Sequence, residues 1–195
     1  MLNNEGWMTE DTLYISPAPL SLRGKTMLFI TIVGIVSIWL LAIHAYFSLP
    51  QRIPTHFGPD GKPDSYGDKS MFLVLPAIFS IVPVIFILIT KYRFVLINKY
   101  PYLVNLPAFF SRISKIKEDS RSYWVNKYFE AVLFLGTVLT FYMLLLEAGI
   151  YIGALYRALP WWFTPLALLS PIVLLLIFLV YMRGMSRSMM EEFAA

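Results

Sequence analysis

The stretch LPQRIPTHFGPDGKPDSYGDKS, residues 49–70, decides the fold, because it is polar, punctuated by proline and glycine, and lies between two long apolar runs. Those runs, residues 25–48 and 71–90, each offer roughly the 20 mostly apolar residues that cross about 30 Å of hydrocarbon. Residues 49–70 are therefore expected to join two membrane helices at a bilayer surface, and they are the first place to look for chemistry.

The composition points the same way. The chain is 58% hydrophobic and 14% charged, with a mean hydropathy of +0.66, whereas about a quarter of residues are charged in soluble domains. Two further apolar runs, residues 130–156 and 161–182, raise the expected spans to four, and 195 residues leave little room for a separate soluble domain. The expected fold is one all-α bundle of four transmembrane helices. So small a bundle leaves a homo-oligomer or a protein partner open. The first apolar run is too long for a cleaved signal and reads as a retained span, preceded by a mobile tail over residues 1–22. Cysteine is absent, which excludes disulfides, thiolate metal sites and redox pairs.

Positive charge sets the expected orientation. With the amino terminus inside, Arg23, Lys25, Lys91, Arg93, Lys99, Arg112, Lys115, Lys117, Arg121, Lys127, Arg183 and Arg187 lie inside, and Arg52, Lys62, Lys69 and Arg157 lie outside. Twelve against four places both termini in the cytoplasm and residues 49–70 outside, in a multi-pass protein of the cell membrane. The net charge of +4 and pI near 9.2 then reflect residues facing anionic lipid and imply no nucleic-acid partner.

The chain accordingly divides into the tail 1–22, a two-helix unit 23–90 carrying the 49–70 loop, a basic cytoplasmic loop 91–127, and a second two-helix unit with a short tail, 128–195. Within the basic loop, Leu106, Phe109, Phe110, Ile113 and Ile116 recur at helical spacing, opposite Arg112, Ser114, Lys115 and Lys117. This predicts an amphipathic helix that lies on the membrane surface or packs on the inner ends of the spans. It also offers a surface to a cytoplasmic protein partner.

In the 49–70 loop, Gly58, Pro59, Asp60 and Gly61 fit a type I turn with glycine at the fourth position, predicting a short hairpin entered by residues 52–57 and left by 62–66. Asp68 is placed to cap the second span. His56, Asp60 and Asp64 also fall close enough in sequence to be candidate ligands of a hard metal or sites for a proton, although the prolines and glycines forbid a helix that would align them. The alternative is a structural turn whose aspartates bond their own backbone.

Inside the spans His44 and Glu147 are costly in lipid and are candidate proton or ligand sites. They lie nineteen and twenty-one residues from the expected inner ends of their helices, so they are expected to face each other beneath the 49–70 loop. Such a pair either lines a polar cavity open to the outside or fixes helix packing. Pro76 and Pro83 in the second span, and Pro165 and Pro171 in the fourth, are expected to interrupt their helices. Trp161 and Trp162 read as an interfacial anchor.

Leu49, Pro50, Ile53, Pro54, His56, Phe57, Asp60, Gly61, Pro63, Asp64, Tyr66, Gly67 and Lys69 together resemble the amino-terminal domain of SdpI-like membrane proteins, over about residues 30–83. The resemblance implies immunity to a secreted antimicrobial toxin and relay of its presence to a cytoplasmic regulator. A sensor or toxin-immunity protein, binding an extracellular peptide or small ligand through residues 49–70, is therefore the first expectation. A small transporter or channel component with a polar outer cavity is the second. A membrane enzyme with a metal at the outer face is the third, and it lacks any HExxH-type or nucleophile motif. No cofactor is expected.

Overall fold

A computed structural model describes residues 14–100, 113 and 115–194. Among these residues the chain forms α1 (Leu22–Ser48), a hairpin of β1 (Arg52–Phe57) and β2 (Pro63–Asp68), and a 3-10 turn (Lys69–Leu73). It continues as α2 (Val74–Lys91), α3 (Arg93–Lys99), α4 (Glu118–Tyr156) and α5 (Phe163–Ala194). α1, α4, α5 and α2 with its preceding turn are long and apolar enough to cross a bilayer. The chain is a mostly helical integral membrane protein with one small antiparallel sheet.

α4 organises the bundle. The buried positions of α1, namely Gly24, Met27, Thr31, Gly34, Ile38, Ala42 and Ala45, recur every three or four residues and form one stripe of mainly small side chains. Small residues let helices approach closely in lipid, where apolar burial does not drive association. This stripe packs on α4 in parallel. Ser21 meets Glu130, the hydroxyls of Thr31 and Thr137 lie 2.8 Å apart, and those of Ser48 and Tyr151 lie 3.2 Å apart. α2 crosses α4 at Gly136, where a Cβ would stand 2.6 Å from the Cβ of Phe86, so only glycine fits without displacing α2. α5 is the peripheral span, with Leu168, Ile172, Leu176 and Val180 exposed for lipid.

Pro83 and Pro171 stand inside their helices, whereas Pro76 and Pro165 occupy first turns, where a missing N–H removes no helical bond. Both helices run unbroken through Pro83 and Pro171, so none of the four expected interruptions appears as a break.

The 39 residues of α4 span about 58 Å, far more than the hydrocarbon alone requires. The helix begins at Glu118, within the stretch read as part of the basic loop, and Glu118 and Asp119 supply the acidic first turn that favours a helix start. Its first turns bury Trp124, Val125, Tyr128 and Phe129 against Phe94, Ile97, Met185 and Met189, which makes a second core at the end of the bundle away from the hairpin. Of the expected amphipathic stretch, Leu106, Phe109 and Phe110 lie outside the described residues. Ile113 and Ile116, at its end, are buried in this core.

Residues 14–21 depart from the expected mobile tail, and residues 1–13 lie outside the described chain. Ile15 is 1% exposed, and its N–H and C=O both bond the side-chain amide of Asn98 at 2.9 Å. Further along, Ser122 donates to Ser16 O, Arg93 to Ala18 O and Asn126 to Pro19 O, at 2.7, 2.6 and 2.8 Å. Ser21 gives its N–H and its hydroxyl to the two oxygens of Glu130, both at 2.8 Å. An extended strap has no internal partners, so side chains of α3 and α4 satisfy it. Arg93 also bonds Thr90 O and Asn126 Oδ1. Burial draws its guanidinium below the ordinary arginine range, and the charge of Glu130 opposes that shift.

Candidate functional site

The hairpin follows the chemistry of its turn. Gly61 N–H donates to Gly58 O at 2.9 Å, and Gly61 has φ of +73°, a conformation a β-carbon disfavours. Asp60 Oδ1 accepts from Lys62 N–H at 3.1 Å, an Asx bond that closes the turn. Asp68 accepts from Ser70 N–H at 2.8 Å and from the amide of Gln51, capping the 3-10 turn that leads into α2. Chiefly through the Ser70 N–H, its carboxyl lies below the ordinary aspartate value of 3.8.

Two irregularities in the strand register create the local chemistry. Pairing runs Pro54 to Tyr66, His56 to Ser65 and Phe57 to Pro63, so Thr55 is extra on β1 and Asp64 is extra on β2. An unpaired residue breaks the alternation of faces. The outcome is that Asp64 Oδ1 reaches His56 Nδ1 at 2.6 Å, with both side chains more than half exposed. A carboxylate accepting from Nδ1–H fixes the ring and leaves Nε2 for another partner. Asp60 instead serves the turn and approaches Lys62 Nζ at 3.9 Å. Among the described residues no three His, Asp or Glu side chains come together as a metal-ligand set. The expected candidates thus resolve into a pair, His56 and Asp64, and a turn residue, Asp60.

The hairpin folds back onto the bundle. Ile53 is buried with Ala42, Ala45, Leu49, Phe72 and Ala154, which fastens β1 over α1, the 3-10 turn and α4. At the other end of the hairpin, Leu159 N–H donates to Gly61 O at 2.9 Å. The loop reaches that position because α4 ends with Arg157 in the left-handed region, at φ of 56°. Between β1 and the spans lies a mainly apolar groove of about 430 Å³. Ile53, His56 and Phe57 form its hairpin wall, and Phe72, Ile150 and Phe163 face them from the helices. Such a space suits an apolar side chain or acyl segment, with His56 as a polar group able to orient it.

His44 and Glu147 do not bond each other. His44 Nε2 lies 3.2 Å from the hydroxyl of Tyr151, its ring edge-on to the tyrosine at 5.7 Å between centroids. Glu147, one turn below Tyr151 on α4, is 0% exposed, and neither of its oxygens has a hydrogen-bond partner among the described residues. A shared depth does not make a contact: the histidine meets the hydroxyl of Tyr151, one turn nearer the hairpin than Glu147. The hydroxyl four residues after Glu147 was the available sequence signal. The roles of Leu159 and Arg157 carried none.

Residues 32–79, from the middle of α1 through the hairpin into α2, match the model of a domain of unknown function (DUF1648). An uncharacterised protein of Archaeoglobus fulgidus is 44% identical over 178 residues, which cover 91% of this chain and 97% of that protein. No solved structure matches the chain. The similarity therefore runs through both pairs of spans, well beyond the hairpin.

Proposed function

We propose, for a chain that belongs to the same family as the Archaeoglobus fulgidus protein and carries the DUF1648 domain, a sensor or toxin-immunity role in the cell membrane. In this reading the hairpin faces outward and the groove beneath it takes an extracellular ligand. The twelve-to-four distribution of basic residues supports that orientation. The observation that carries the reading is the groove itself, walled by β1 and floored by three spans, with an imidazole oriented by Asp64 at its side. Its apolar lining favours a peptide bearing a large apolar side chain over a small polar solute. The resemblance of residues 49–70 to SdpI-like proteins supports a secreted antimicrobial peptide as that ligand class.

At the opposite end, the second core and the basic residues around it suit contact with the inner leaflet or a cytoplasmic protein. A transporter built on a His44–Glu147 pair loses that pair, since the histidine is engaged by Tyr151. The test is survival of a sensitive bacterium expressing this chain when challenged with a secreted antimicrobial peptide toxin. Protection relative to the empty vector supports the role, and equal killing at confirmed membrane expression refutes it.

A further inference from the structure

Glu147 is the largest unexplained cost in the fold. It stands in the hairpin-side half of a membrane span, fully buried, with both oxygens unbonded. An ionised carboxylate in such surroundings meets no counter-charge among the described residues and is costly to hold in a membrane span. The elements packed on α4 supply no cation at this level. α2 carries no titratable residue between Val74 and Thr90, and α5 carries none between Phe163 and Val180. α1 contributes His44 and Tyr46, α4 itself contributes Tyr142 and Tyr151, and β1 contributes Arg52 and His56 at the hairpin.

A polar cluster centred on Tyr151 ends one helical turn from Glu147, whose oxygens it does not bond in this arrangement. Tyr151 is four residues after Glu147 on the same helix, and side chains lean toward the helix amino terminus, over the preceding turn. Its hydroxyl lies 3.2 Å from both His44 Nε2 and Ser48 Oγ, and these two residues are exposed at the hairpin end of α1.

We propose that Glu147 is a proton-binding site within the membrane, served from the hairpin end by Tyr151 with Ser48 and His44 as the two polar partners of its hydroxyl, and that it carries its proton in the arrangement described here. The step is a plain protonation. A hydronium ion at the hairpin end gives up a proton to Ser48 or His44, Tyr151 turns and gives its own hydroxyl proton to Glu147, and it regains one from that partner, so each O–H or N–H bond broken is replaced and one new O–H bond stands on Glu147. The proton leaves this buried stretch of α4 uncharged, so its loss would force the carboxylate toward water and loosen the packing around Glu147.

Infrared spectroscopy of the full chain in liposomes tests this. At neutral pH the wild type should show the carbonyl stretch of a protonated carboxyl, lowered in D₂O and missing from Glu147→Gln, which should fold as well as the wild type. Tyr151→Phe should keep the band and slow its exchange with D₂O by roughly tenfold or more. A wild-type spectrum without the band at neutral pH overturns the proposal. So does a Glu147→Gln variant that fails to fold while Glu147→Asp folds, because the negative charge would then be what the bundle needs. Unchanged exchange in Tyr151→Phe overturns the route.

Discussion

The N–H of Leu159 donates to the carbonyl of Gly61 at 2.9 Å, which joins the tip of the hairpin to the loop between the last two spans. Residues almost a hundred positions apart thus form one rim around the groove. The domain match ends at residue 79, so half of this rim comes from the part of the chain outside it.

Gly61→Val is expected to break that rim. Valine at a φ of +73° costs about 1–2 kcal/mol in the left-handed region, and a relaxed turn withdraws the carbonyl from Leu159. Thermal unfolding in detergent should show a lower midpoint, with Gly61→Asn milder because asparagine tolerates that region. Equal midpoints for valine and glycine would contradict the turn.

His44 and Tyr151 are expected to be coupled, and His44 and Glu147 to be independent. In double-mutant cycles on unfolding, His44→Ala with Tyr151→Phe should show an interaction of about 0.6 kcal/mol, the usual size for a hydrogen bond between membrane helices. The cycle of His44→Ala with Glu147→Gln should be additive.

The cap at Asp68 gives a pH dependence of defined sign. Its folded carboxyl is held below 3.8, so the charged cap stabilises fully above that value and the contribution is lost as pH falls through the lower folded value. The stability difference between wild type and Asp68→Asn should be constant at neutral and mildly acidic pH and should shrink only below about pH 4. A difference that already titrates near pH 6 would assign it to another group.

Orientation is testable without the groove. Reporter fusions at the carboxyl terminus should report the cytoplasm, and a small tag inserted beside Lys62 should be accessible from outside. The reverse pattern would place the hairpin and its groove inside the cell.

Four spans were legible because apolar runs of some twenty residues have few other readings, and the hairpin was legible because Gly58, Pro59, Asp60 and Gly61 each meet a positional demand of one turn type. The second core was not. Trp124, Val125, Tyr128 and Phe129 stand among Lys117, Arg121 and Lys127, so average polarity hid a buried helical face. The strap over residues 14–21 was equally hidden, since its order comes from side chains of Asn98, Asn126 and Glu130 distant in sequence. At the site, His56, Asp60 and Asp64 are close in sequence, but register irregularities bring together only His56 and Asp64, and no local pattern announces them.

The central claim is that the groove under the hairpin is the ligand site, and the most direct test is binding of a labelled antimicrobial peptide toxin to the purified chain in nanodiscs. Met71 lines the groove and is exposed, so Met71→Trp fills it without disturbing a buried contact. The account predicts saturable binding by the wild type, weakened about tenfold or more, some 1.4 kcal/mol, by Met71→Trp. Saturable binding of equal strength by both proteins would contradict it.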